Sequence, residues 1–117
     1  MIRIYRYQKC STCQKALKWL DERGVNYDLR EIKETPPSDQ DLEAMLAAQD
    51  GGMRKLFNTS GMDYREMGLK DKVPTLSKAE AFALLQRNGM LVKRPFLIGD
   101  GKALLGFREK EWAAQFE

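Results

Sequence analysis

The residues best suited to chemistry in this chain are Cys10 and Cys13, the only two cysteines in its 117 residues. They form a C-x-x-C, Cys10-Ser11-Thr12-Cys13. The thiolate is the reactive form of cysteine, and a free thiol ionises with a pKa of about 8.5. The spacing permits nucleophilic attack by Cys10 and resolution by Cys13, one helical turn further on. The chain has no histidine. That removes Ser-His-Asp and Cys-His activation, histidine metal ligation and the usual near-neutral acid–base group.

The surrounding pattern positions the pair. Ile2 to Tyr7 reads as a strand, with Ile2 and Ile4 on one face and Arg3 and Tyr5 on the other. Cys13, Ala16, Leu17 and Leu20 recur at helical spacing, which predicts a helix from about Ser11 to Arg23, closed by Gly24 in a left-handed cap. Val25, Tyr27 and Leu29 alternate as a second strand. Strand, helix and strand within about 30 residues make a βαβ unit with parallel strands and a right-handed crossover. Cys10 therefore stands at a helix N-terminus, where unpaired N–H groups and the helix dipole stabilise a thiolate. Lys9 and Lys15 add a screened contribution.

The middle of the chain reads differently. Pro36-Pro37-Ser38 breaks the pattern, and Ser38 caps a helix with Leu42, Met45 and Leu46 inward. Gly51-Gly52 ends that helix. Met53, Leu56 and Phe57 predict a short helix, and Ser60 to Gly68 another with Tyr64 and Met67 inward. Leu76 to Gly89 carries the clearest helix signal: a Ser77/Glu80 capping box, Leu76 stapled onto Ala81, a stripe of Ala81, Leu84 and Leu85, and a Gly89 cap. Residues 36–89 are thus a helical interruption in an α/β chain. Residues 95–98 and 102–106 flank Gly99-Asp100-Gly101 as a hairpin, and Arg108 to Phe116 closes with a helix. No repeat, low-complexity segment or linker is apparent. One domain over 1–117 is expected.

Composition sets limits. Hydrophobic residues make up 43% and charged residues 32%, an ordinary globular mix. The net charge of +3 is too mild to call for nucleic acid, and no basic stripe with interleaved aromatics appears. No apolar run approaches the roughly 20 residues of a membrane span, and the N-terminus lacks a secretory plan. A cytoplasmic monomer is the default expectation.

Other readings of the cysteines stay open. A structural zinc site needs about four ligands, which two cysteines supply only if chains share the metal. A structural disulfide sits badly with a reducing compartment. An inert core pair is the strongest rival, because Cys13 lies on the buried stripe of its helix. Strand, loop and helix context favours redox chemistry. Among the arginines, Arg94 in Lys93-Arg94-Pro95 divides evenly between a surface and a functional role. Arg54 and Arg108 read as surface charges.

Several separated segments together resemble the ArsC/Spx family of glutaredoxin-like arsenate reductases and their relatives. They are Cys10-Ser11-Thr12-Cys13 with Lys15-Ala16, Asn58-Thr59-Ser60-Gly61, Tyr64-Arg65-Glu66-Met67-Gly68-Leu69, Leu91-Val92-Lys93-Arg94-Pro95 and Leu105-Gly106-Phe107. The resemblance covers nearly the whole chain in order. It implies a thioredoxin-like α/β fold. A four-stranded mixed sheet would be formed by residues of about 1–35 and 90–117, with the helical insertion at about 36–89. The first two strands would be parallel and the last two antiparallel. It also implies that Cys10 is the catalytic cysteine, that Arg94 binds an oxyanion beside it, and that Pro95 faces the cysteine loop after a cis peptide bond.

The implied function is a cytoplasmic thiol–disulfide oxidoreductase, with arsenate as a candidate substrate. Cys10 is its nucleophile, Cys13 the resolving partner in a redox disulfide, and Arg94 the anion-binding group. Ser11 and Thr12 shape the loop and offer hydroxyls to the sulfur. No bound cofactor or metal is implied, and glutathione, glutaredoxin or thioredoxin would supply electrons. Single-cysteine arsenate reductases lack a counterpart of Cys13 and carry an arginine near the place of Phe57-Asn58. The C-x-x-C instead resembles Spx regulators, which bind the C-terminal domain of the RNA polymerase α subunit. Gly51-Gly52 lies where they have a glycine in the contact loop. Spx regulators also carry a charged tail beyond the point where this sequence ends.

Overall fold

The computed structural model describes residues 1–116. Strand β1 (Ile2–Arg6) leads into helix α1 (Ser11–Glu22) and then strand β2 (Tyr27–Glu31). β2 pairs parallel to β1, from Ile2 opposite Tyr27 to Arg6 opposite Glu31. Helix α1 ends as expected, with Gly24 at φ +67°. The Gly24 N–H donates to the Asp21 carbonyl and the Val25 N–H to that of Leu20, both at 3.1 Å. This closing motif commits the Val25 amide to the helix end. The strand therefore begins two residues later than its alternating pattern suggested.

Strands β3 (Phe96–Gly99) and β4 (Lys102–Leu105) form the expected hairpin. β3 pairs antiparallel with β1, giving the order β2-β1-β3-β4. The fold is the expected thioredoxin-like α/β arrangement: a mixed sheet with a helical insertion between β2 and β3. The other edge of the hairpin is covered from helix α6 (Glu109–Phe116). There the Gln115 side-chain amide both donates to the Ala103 carbonyl and accepts from its N–H, at 3.2 and 3.1 Å.

Both faces of the sheet are buried. Ile2, Ile4, Leu97 and Leu104 pack with Ala16, Trp19 and Leu20 of α1 and with Trp112 of α6. Trp19 meets Trp112 edge-on at 6.0 Å, and the Trp112 indole donates to the Gly106 carbonyl at 3.0 Å. Tyr5, Phe96 and Ile98 face the other way, into a second cluster with the insertion.

The insertion contains α2 (Asp39–Ala48), a 3-10 turn over Met53–Leu56, α3 (Met62–Glu66), α4 (Leu69–Lys72) and α5 (Lys78–Arg87). Ser38 caps α2, and the Ser77/Glu80 capping box on α5 is present as read. Four expectations are corrected, the last at Gly89. The helix over 60–68 is shorter, and an unanticipated α4 follows Gly68, which takes φ +63°. Tyr64 points inward, but Met67 is 38% exposed and Leu69 fills the core instead. Leu84 is only half-buried, and Phe82 takes the buried position.

Gly89 does not cap α5, which ends on Asn88. A Cβ there would lie 1.9 Å from the Ile32 carbonyl oxygen, so glycine answers to backbone approach. Gly89→Ala is expected to lose at least about 2 kcal/mol of stability in urea unfolding, comparable to other over-packed core changes.

One buried carboxylate ties β1 to α2. Asp41, 6% exposed, accepts from Arg3 Nε and Nη2 at 3.1 and 2.6 Å and from the Tyr5 hydroxyl at 2.8 Å. Burial acts to raise the Asp41 carboxyl. The hydrogen bonds from Arg3 and Tyr5 outweigh it and hold the group below its ordinary value of 3.8. Burial first, and Asp41 second, push the Tyr5 phenol up to about 12. A depressed carboxyl stabilises the fold above its ordinary value and loses that contribution as pH falls through the native one. Asp41→Asn should therefore cost about 2–4 kcal/mol at pH 7, near the range for breaking a buried ion pair. The loss should shrink in urea titrations below pH 4.

Candidate functional site

Cys10 takes the N-cap position of α1 with extended backbone, φ −91° and ψ 112°. Its Sγ accepts the Cys13 N–H at 3.2 Å, as a serine or aspartate oxygen would at such a place. The turn before it closes when the Cys10 N–H donates to the Tyr7 carbonyl at 3.0 Å. Cys10 is half-buried, and Cys13 is fully buried beneath it. Both are free thiols in this structure. Burial first, and a hydrogen bond with Cys10 second, push the Cys13 thiol up to about 12. Arg94 acts in the opposite direction.

Cys10 opens onto a cavity of about 740 Å³. That volume lies within the range of small-molecule sites, about 300–1,000 Å³. Thr12, Lys93 and Arg94 line it, together with Arg54 and Lys55 from the 3-10 turn and Arg108 from the approach to α6. Against these five cationic side chains stands, among the described residues, one carboxylate, Glu111, which is 3.7 Å from Arg108. Asn58, Thr59 and Ser60 add amide and hydroxyl groups to the wall. The lining is suited to a small anion. A slightly larger groove of about 820 Å³ between α2 and α5 is lined by alanines and Phe82 with Asp39, Glu43 and Lys78 among them, and lacks both cysteines.

Arg94 is brought to Cys10 by long-range pairing. The Lys93 N–H donates to the Leu56 carbonyl at 2.8 Å, and the Asn58 N–H donates to that of Leu91 at 2.7 Å. This ties the insertion to the segment before β3. Arg94 Nη1 donates to the Met90 carbonyl at 3.2 Å, its guanidinium carbon lies 5.3 Å from the Tyr7 ring centroid, and its Nε is buried without a partner among the described residues. The Arg94–Pro95 peptide is cis. Pro95 itself is buried, and its carbonyl accepts the Gly106 N–H at 2.9 Å.

Of the residues read from sequence, Cys10, Thr12 and Arg94 meet at the cavity, with Cys13 under its floor. Ser11 is exposed on the first turn of α1, and neither Ser11 nor Pro95 lines the cavity. Arg54 and Arg108 are exposed, as read, yet both stand on its wall. Lys55 and Tyr7 carried no local signal. Folding of the insertion places Lys55 on the cavity wall, whereas Tyr7 stands only three residues before Cys10 in the chain. Among the described residues, no three Cys, Asp or Glu side chains group as metal ligands do.

A four-stranded thioredoxin-like sheet, a helical insertion and a helix-capping cysteine under a cationic cavity define a class of protein. The chain belongs to the ArsC family, whose model matches residues 5–115. It is 43% identical to the uncharacterized protein YusI of Bacillus subtilis, over 93% of this chain and 92% of that one. It superposes with a TM-score of 0.86 on the crystal structure of a possible arsenate reductase from Streptococcus mutans UA159, at 41% identity, covering 97% of this chain and 98% of that one. It is also 26% identical to the global transcriptional regulator Spx of Listeria innocua, over 95% of this chain and 83% of the regulator.

The burial difference gives a direct test. Iodoacetamide should label Cys10 at least about 50-fold faster than Cys13 at pH 8, read by peptide mass spectrometry, since only an accessible thiolate alkylates. Cys13 should label only when the protein is unfolded.

Proposed function

We propose that this protein is a thiol–disulfide oxidoreductase acting on small anionic substrates. The observation that carries the reading is the half-buried Cys10, set over buried Cys13 and opening onto a cavity rich in cationic groups. The Cys10 thiolate attacks one sulfur of a substrate disulfide. A Cys10–substrate bond forms, the substrate disulfide breaks, and the other half leaves as a thiolate. Cys13 then attacks the Cys10 sulfur. Its proton passes to the departing substrate thiolate, and a Cys10–Cys13 disulfide remains. Two electrons from glutathione, glutaredoxin or thioredoxin restore the dithiol. Arg94 and the α1 N–H groups offset negative charge at the reacting sulfur. Arsenate is a second candidate electrophile, favoured by the same cationic lining.

The test supplies purified protein with NADPH and the glutathione, glutaredoxin and thioredoxin systems, with arsenate and low-molecular-weight disulfides as separate substrates. Turnover is expected for an anionic disulfide. Cys10→Ser should abolish it, and Cys13→Ser should accumulate a Cys10–substrate adduct visible by intact mass. Turnover that survives in Cys10→Ser would remove the assignment.

The likeness to Spx favours a second reading, a redox-responsive regulator that binds the C-terminal domain of the RNA polymerase α chain. Gly51 and Gly52 are exposed with φ +99° and +74°, and Gly51 borders the cysteine cavity. Their loop is thus close enough to sense the state of the cysteines. This reading expects binding to that domain to differ between the dithiol and the disulfide form, measured by calorimetry. Equal or absent binding in both forms would remove it.

A further inference from the structure

Among the described residues, Arg94 Nε is buried with no hydrogen-bond partner, and the guanidinium has a single hydrogen bond, from Nη1 to the Met90 carbonyl. One such bond fixes only one end of the guanidinium. A second contact is aromatic: the guanidinium carbon stands 5.3 Å from the centre of the Tyr7 ring. That is within the roughly 6 Å over which a ring face attracts a cation. Tyr7 has a second task in the same place. Its carbonyl accepts the Cys10 N–H at 3.0 Å and closes the turn that presents the nucleophile. One residue thus sits against both the cysteine loop and the anion-binding arm.

We infer that Tyr7 is a positioning residue, whose ring face holds the Arg94 guanidinium at the cysteine pair. The inference rests on the proposed role of Arg94 toward anionic substrates. The backbone bond to Cys10 survives any side-chain change at position 7, so the ring contribution can be isolated. The quantity to follow is a selectivity. An arginine held in place speeds attack on an anionic disulfide more than attack on a neutral one, whereas general damage to the cysteine loop slows both alike.

The experiment measures second-order rates of Cys10 with 5,5′-dithiobis(2-nitrobenzoate), a dianion, and with neutral 2-hydroxyethyl disulfide, in a Cys13→Ser background. Arg94→Ala should lower the anionic-to-neutral rate ratio about tenfold, a typical effect of one charge-assisted contact. Tyr7→Leu should lower that ratio at least threefold, Tyr7→Phe should preserve it, and Tyr7→Leu added to Arg94→Ala should change it no further. If Tyr7→Leu does not fold, site-specific pentafluorophenylalanine at position 7 reverses the ring's charge distribution at nearly the same size. It should lower the ratio relative to Tyr7→Phe. An unchanged ratio in Arg94→Ala overturns the anion-binding role of Arg94 and this inference with it. A lowered ratio in Arg94→Ala, with none in the Tyr7 variants or with an equal drop in the Arg94→Ala background, overturns the Tyr7 role alone.

Discussion

Strand β1 is constrained on every side, and the remainder of the molecule answers to that constraint. It pairs along both edges, parallel to β2 and antiparallel to β3. Its side chains enter two separate cores, Ile2 and Ile4 below and Tyr5 above. A strand held in this way has no freedom of register, because a slip by one residue would exchange its faces. The chain leaves β1 at a fixed point and reaches Cys10 four residues later. The position of Cys10 is therefore set by a strand paired on both edges, while the loop around it stays open to solvent.

The cationic wall is built by a different route. Arg54 and Lys55 come from the insertion, Lys93 and Arg94 from the segment before β3, and Arg108 from the approach to α6. Short backbone pairing between residues 56–58 and 91–93 joins the first two groups, and the Phe57–Val92 bridge lies between its hydrogen bonds. Buried Phe57 and Val92 anchor that bridge in the core shared by the sheet and the insertion. Asp41 adds a polar tie between the same two bodies, with Arg3 and Tyr5 as donors. The geometry of the cavity beside Cys10 depends on how firmly the insertion is seated on the sheet.

Local signals in the sequence carried much of this. The C-x-x-C, the Gly24 helix end and the Ser77 capping box depend on residues within one or two turns of each other, and all were readable. So was the βαβ unit, from its switch in hydrophobic period. The errors lie where a distant part of the chain decides. Gly89 looks like a helix cap, but its role is set by the Ile32 carbonyl, 57 residues earlier. Met67 and Leu69 sit on either side of a glycine that redirects the chain, so one helical period could not describe both. Arg54 and Arg108 are exposed charges by any local measure. They belong to the cavity only because tertiary folding brings them to face Cys10.

The seal on β4 has a consequence for how the molecule behaves in company. A strand edge presents unpaired N–H and C=O groups that invite pairing with another chain. Here a single glutamine amide, Gln115, satisfies Ala103 in both directions and imitates the neighbouring strand that is absent. It stands in the last turn of α6, where helices fray most readily. Each opening of that turn uncovers a short segment of ladder beside the apolar β3–β4 hairpin. Colloidal solubility at high concentration is thus linked to the integrity of one helical turn, and not only to the net charge that ordinarily governs it.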